Sequence, residues 1–263
     1  MNFSGTFNGK VILVTGATSG IGEAAARRFA AAGGKVGVLG RTPERIAQTV
    51  EAITQAGGEA IALEADVSDP TAMQAAFTAL IAKWGRLDVV IANAGINGVW
   101  APIEELTPEE WDTTLAINLR GTFLSIKYAV PHLKTRGGAI VVVASINGTR
   151  TFTSAGASAY SSSKAGQVAL TKMAALELAK HRIRVNVVCP GAITTEIDDS
   201  TEKRNVEEAK VAAEYPDGDI PLTEGTPGEA EQVADTLLFL SSEGASHITG
   251  TEMWIDGGQS LLH

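Results

Sequence analysis

Tyr160 and Lys164 stand four residues apart in Tyr-Ser-Ser-Ser-Lys, and Ser145 lies fifteen residues upstream at the end of an apolar run. At i and i+4 of a helix, a phenol and an ammonium share one face, with Cβ atoms roughly 5–6 Å apart. A cation beside a phenol favours phenolate and lowers the pKa from its usual value of about 10. A tyrosine tuned in this way can give or take the proton of an alcohol–ketone interconversion. The spacing alone fits a solvated helix pair equally well, so its surroundings carry the argument.

A glycine-rich turn, Thr15-Gly16-Ala17-Thr18-Ser19-Gly20-Ile21-Gly22, follows the first apolar run. Glycines let backbone approach a pyrophosphate closely, and the N-terminus of the next helix supplies amide donors and a favourable dipole. The spacing is Gly-x-x-x-Gly-x-Gly, which differs from the Gly-x-Gly-x-x-Gly dinucleotide fingerprint. A tight turn without ligand is the alternative.

Short β-branched runs alternate with helical stretches to position these groups. Strands are expected at 11–14, 35–39, 60–64, 87–91, 139–143, 183–188 and 253–255. Helices are expected at about 21–32, 43–56, 70–84, from 108 past Asn118, and from about 160 to 180. Thr107, Pro108 and Glu110 form a capping-box signal, and Ser68 or Asp69 can cap the helix that begins at Pro70. Continuous apolar strands separated by helices imply a parallel sheet covered on both faces. The reading is a single α/β domain over 1–263, Rossmann-like and doubly wound, with a seven-stranded parallel sheet flanked by helices. One long departure, about 192–226, is polar and acidic with a short helix expected at 202–214. It follows the C-terminal end of the sixth strand, where such folds bind ligands, and is read as a substrate lid.

Composition excludes several classes. The net charge of −9 argues against nucleic acid, which requires clustered Lys and Arg. One cysteine, Cys189, allows no intrachain disulfide, and no Cys/His spacing suggests a metal site. No apolar run reaches membrane-spanning length, and Met1 to Gly9 lacks the pattern of a signal peptide. The chain is expected to be cytoplasmic, with neither membrane nor nucleic acid as partner. Ser19 is not central in a Gly-x-Ser-x-Gly elbow, which disfavours a hydrolase.

Taken together, the motifs resemble the short-chain dehydrogenase/reductase family over about 8–258. The resemblance rests on residues 15–22, Asp66-Val67, Asn93-Ala94-Gly95, Asn118, Ser145, Tyr160 with Lys164, Pro190-Gly191 followed by Thr195, and Asp256-Gly257-Gly258. It implies that Tyr160 is the general acid/base. Lys164 would depress its pKa and bind the nicotinamide ribose, and Ser145 would stabilise charge on the substrate oxygen. Asn118 would hold a water that links Lys164 to solvent; bonding to local backbone is the alternative. Gly16, Thr18, Ser19, Gly20, Ile21 and Gly22 would surround the pyrophosphate. Asp66 and Val67 would contact adenine, with helix capping the alternative for Asp66. Asn93, Ala94 and Gly95 would form the floor of the cofactor site. Pro190, Gly191, Ile193 and Thr195 would meet the nicotinamide end.

An acid at the end of the second strand would bind the adenosine ribose and repel a 2′-phosphate. Here Gly40 takes that place, and Arg41 and Thr42 offer a cation and a hydroxyl to the phosphate. NADP(H) is therefore expected ahead of NAD(H). Ser145 stands slightly farther from Tyr160 than the family usually shows, so 149–155 is expected to bulge beside the substrate. Trp100, Phe152 and Tyr215 are candidates to reach the pocket. The resemblance implies an alcohol or carbonyl substrate and a homotetramer. A non-catalytic NADP-binding sensor is the competing function on this fold.

Overall fold

The computed structural model describes residues 3–211 and 219–262. Seven parallel strands form the central sheet: β1 Val11–Thr15, β2 Lys35–Gly40, β3 Glu59–Glu64, β4 Val89–Ala92, β5 Gly138–Val143, β6 Ile183–Pro190 and β7 Glu252–Ile255. Their spatial order is β3-β2-β1-β4-β5-β6-β7. Sequential strands run outward from β1 in one direction and from β4 in the other. That reversal makes a crevice at the carboxyl ends of β1 and β4, the place where doubly wound sheets bind ligands.

Helices cover both faces: α1 Gly20–Ala31, α2 Pro43–Gln55, α3 Pro70–Trp84, α4 Pro108–Leu115, α5 Gly121–Leu133, α6 Ser158–Leu178 and α7 Ala230–Ser241. One apolar cluster joins Leu13, Phe77, Leu80, Leu133 and Val185 on one side of the sheet. A second joins Ile12, Phe29, Ile53, Val233 and Leu237 on the other. Alternate residues of β1 serve opposite clusters, as a period-2 strand buried on both faces requires. Asp69 caps α3 by accepting from Thr71 N at 2.7 Å and Ala72 N at 3.2 Å. Thr107 and Glu110 complete the expected capping box at α4.

Two local features depart from the sequence reading. The helix from Pro108 is interrupted by one π turn, Ala116–Arg120, which contains Asn118. The short helix expected at 202–214 is replaced, within the described residues, by a strand segment Thr201–Lys203 and a 3-10 turn Val206–Ala209. Thr201–Lys203 pairs in parallel with Gly98–Trp100, and Asn205 adopts φ 48°. Tertiary pairing and a left-handed residue override the helical tendency of that stretch. No helix among the described residues is long and apolar enough to cross a membrane.

Candidate active site

One cavity of about 900 Å³ opens along the carboxyl ends of the strands. Its first wall is the turn after β1. Gly16 has φ +63°, and a Cβ there would stand 2.8 Å from Ala94 Cα. The Asn93 side chain donates to Thr15 O at 3.1 Å and Gly16 O at 3.2 Å. Thr15 Oγ1 accepts from the backbone amides of Asn93 and Ala94 at 3.0 and 3.1 Å. Asn93 and Ala94 thus brace the glycine turn as well as lining the cavity. Gly22 does not line it. It packs under Gly16, where a Cβ would come within 2.0 Å of Gly16 O.

The far end of the cavity is set by β2 and β3. Gly40, Arg41, Thr42, Asp66 and Val67 line it. A Cβ on Gly40 would stand 2.9 Å from Thr18 Cγ2. Arg41 is exposed and makes no ion pair among the described residues. Asp66 accepts from Ser68 N at 2.8 Å and Ser68 Oγ at 2.7 Å, and so does not cap a helix. Burial opposes its ionisation, but those bonds and the charge of Arg41 leave its carboxyl below the usual range. Arg45 of α2 forms an ion pair with Glu196, joining this edge to the segment after β6.

The chemistry-bearing end lies where β4, β5 and α6 meet. Ser145 and Tyr160 line the cavity and are 8% and 7% exposed. Lys164 donates to Val143 O at 3.0 Å and stands 5.5 Å from the centre of the Tyr160 ring. The expectation that Lys164 lowers the phenol pKa is not met in this arrangement. Burial pushes Tyr160 up to about 12, Asp198 adds to the rise, and the Ser145 hydroxyl offsets part of it. Burial also pushes Lys164 down to about 8. Spacing places the two groups on one face, but desolvation dominates both ionisations.

Asn118 is fully buried and does not line the cavity. Its amide donates to Ile96 O at 2.9 Å and Ser163 Oγ at 3.0 Å, and its Oδ1 accepts from Ile96 N at 2.9 Å. Its carbonyl accepts from Thr122 Oγ1 at 2.8 Å and Gln167 Nε2 at 2.9 Å. The π turn aims this residue at both the β4 loop and α6. Gly95 fills the space between, since a Cβ there would be 3.2 Å from Asn118 Oδ1 and 3.5 Å from Lys164 Nζ.

The remaining expected groups, Thr18, Ser19, Gly20, Ile21, Pro190, Gly191, Ile193 and Thr195, all line the cavity. Trp100 lines it too, 6.5 Å from the Tyr160 ring centre. Phe152 does not, being 73% exposed, and Tyr215 falls outside the described residues. The segment after Ser145 bulges as expected: Gly148 has φ +77°, Asn147 bridges Thr151, and Thr151, Thr153 and Ser154 reach the cavity.

Sequence reasoning did not single out the residues that hold the segment after β6 in place. Asn97 N donates to Ser200 Oγ at 3.0 Å, and Asn97 Nδ2 to Thr201 Oγ1 at 2.7 Å. Arg204 donates to both carboxylate oxygens of Glu110 and to Glu105 O. Gln259 accepts from Ala192 N at 2.9 Å and donates to Asp219 at 3.1 Å. Only Glu110 carried a local signal, and that signal was for a helix cap.

A glycine turn no side chain could replace, a helix N-terminus, and a cavity with polar groups at both ends suit a dinucleotide with a small second molecule. Comparison with known proteins agrees. A family model described as enoyl-(acyl carrier protein) reductase matches residues 16–260. A 3beta-hydroxysteroid dehydrogenase of Mediterraneibacter gnavus is 37% identical, over 98% of this chain and 99% of its own. The crystal structure of a 3-ketoacyl-ACP reductase from Sinorhizobium meliloti 1021 is 58% identical with a TM-score of 0.93, covering 96% of this chain and all of that one. A 3-ketoacyl-(acyl-carrier-protein) reductase from Brucella melitensis, complexed with NADH, is 32% identical with a TM-score of 0.84, over 96% and 99% of the two chains.

Proposed function

We propose that this chain, which belongs to the short-chain dehydrogenase/reductase family, interconverts an alcohol and a ketone or aldehyde with NADP(H). The observation that carries the reading is the buried group of Tyr160, Ser145 and Lys164 at one end of a dinucleotide-sized cavity. A sensor would have no use for a desolvated ammonium beside a desolvated phenol, which costs stability.

When bound, the nicotinamide supplies the hydride for the carbonyl carbon and takes it back in the reverse direction. Tyr160 gives its phenolic proton to the carbonyl oxygen during reduction and removes the alcohol proton during oxidation. Ser145 donates to the same oxygen as negative charge grows there. Lys164 holds positive charge near the phenol and is the group for the nicotinamide ribose. Asn118 ties the β4 loop to α6 through Ile96 and Ser163, and Gly95 leaves room beside the Lys164 ammonium. At the adenosine end Arg41 and Thr42 take the 2′-phosphate, since no carboxylate occupies position 40.

The segment 192–226 closes over the substrate. A cytoplasmic homotetramer completes the reading. Its support is the apolar surface on α5 and α6, where Phe123 is 45%, Met173 69% and Leu176 82% exposed. Sedimentation velocity reads that assembly directly.

Tyr160→Phe is the deciding experiment for the chemistry. Turnover of carbonyl compounds, followed by NADPH absorbance, should fall about 10²–10⁴-fold while NADPH still binds. Full turnover by the variant would remove the proposal.

A further inference from the structure

The reading of the cavity as an alcohol–ketone site leaves its substrate open, and the inference below rests on that reading. The cavity around Tyr160 includes Asn97, Trp100, Asn147, Thr151, Ser154 and Asp198. Lys164 is the cation lining this end among the described residues, and it is 3% exposed and turned onto Val143 O. The other lining cations, Arg41 and Arg45, sit beyond β2. Lys203 stands 5.6 Å from the Trp100 ring centre but does not line the cavity.

Negative charge, by contrast, is close to the reacting group. Asp198 lines the cavity and lies near enough to Tyr160 for its charge to oppose loss of the phenolic proton. Asn97 donates to Asp198 only at 3.3 Å, so the carboxylate keeps acceptor capacity. Asp199 and Asp219 also line the cavity. Thr151 is 5% exposed, and its hydroxyl has no hydrogen-bond partner among the described residues. A buried hydroxyl without a partner is a costly arrangement unless a ligand completes it. Trp100 adds an apolar wall beside the phenol.

We infer that the substrate is an uncharged, hydroxylated carbonyl compound or the corresponding polyol, with Asp198 and Thr151 meeting hydroxyls beside the reacting carbon and Trp100 packing on its C–H surface. Carboxylates, phosphate esters and acyl thioesters on anionic carriers are repelled by Asp198 and, among the described residues, find no lining cation at this end but the buried Lys164. This sets the chain apart in specificity from the acyl-carrier substrates named for its 58% identical structural neighbour.

The test compares short neutral polyols and ketoses with D-gluconate, sorbitol 6-phosphate and acetoacetyl-CoA. Turnover is measured with NADP(H), and binding separately by tryptophan fluorescence of the protein without cofactor. The expected result is kcat/KM at least about tenfold higher for a neutral member than for any anion. Asp198→Asn should narrow that ratio about fivefold or more, and the narrowing should shrink at high salt. Acetoacetyl-CoA or the phosphate ester turned over as well as the best neutral compound would overturn the inference and leave the oxidoreductase reading standing. An unchanged ratio in Asp198→Asn would overturn it as well. If no compound is turned over, the oxidoreductase reading fails, and binding decides alone: neutral-over-anion preference supports the inference, and equal or no binding sinks it.

Discussion

Arg204 reaches from the segment after β6 to α4 and donates to both oxygens of Glu110, each at 2.9 Å. The same Glu110 closes the capping box of α4, so docking of this segment and helix initiation share one carboxylate. Bonds from Arg204 and from the Thr107 amide hold that carboxyl down at about 2. Because its folded pKa is depressed, its contribution is present above the ordinary value of 4.5 and is lost only as pH falls towards about 2. Arg204→Ala should raise KM for the carbonyl substrate about tenfold with little change in kcat, because it loosens binding and leaves the proton donor in place. Steady-state kinetics separates the two, and a loss confined to kcat would contradict a docking role.

The two directions of reaction should respond oppositely to pH. Reduction needs the phenol protonated and Lys164 charged, and burial sets these groups at about 12 and about 8. The reductive kcat/KM should therefore fall as pH rises through about 8. Oxidation needs phenolate and should climb with pH throughout the range from 7 to 10. Parallel profiles in the two directions would show that binding the cofactor reorders these ionisations.

Lys164→Met should abolish turnover and stabilise the protein without cofactor. The folded state holds the Lys164 proton less tightly than the unfolded chain, with a pKa near 8 against the ordinary 10.5. Its cost is complete below about 8 and is relieved as pH rises towards 10.5. At pH 7 the variant should gain about 1–3 kcal/mol in denaturant unfolding. The difference from the parent should shrink with rising pH over that window. A destabilised variant would mean that the bond to Val143 O outweighs desolvation.

Cofactor preference should resist a single substitution. A side chain at Gly40 meets Thr18 Cγ2 at 2.9 Å, so an aspartate placed there cannot seat without moving Thr18. Gly40→Asp alone should lose NADPH affinity without gaining much for NADH. Adding Thr18→Ser should then recover NADH binding, while Arg41→Ala should cut NADPH affinity by roughly 1.5–3 kcal/mol, the value of a charge-assisted bond. Fluorescence titration with each cofactor reads all three.

The sheet was legible because its central strands are buried on both faces and so appear as unbroken apolar runs, such as Ile140-Val141-Val142-Val143. The cavity-lining residues were legible where backbone geometry restricts residue type, as at Gly16. The π turn was not, because the groups that use it, Ile96 and Ser163, lie 22 and 45 residues from Asn118. The short helix expected at 202–214 was misread for a related reason. Its local composition suits a helix, while its conformation is set by Trp100, Glu105 and Glu110 about a hundred residues earlier. The ionisation of Tyr160 escaped the spacing argument because spacing reports a neighbour's charge and says nothing of the water removed around both groups.

The pairing of Arg45 with Glu196 links α2 to the segment after β6 at the nucleotide end of the cavity. Tyr160 lies at the other end, beside Trp100 and Asp198 of the segment after β6. Both ends of the cavity are thus tied by ion pairs, Arg45–Glu196 at one and Arg204 with Glu105 and Glu110 beside the other. Added salt, which weakens exposed ion pairs, should therefore loosen both ends together.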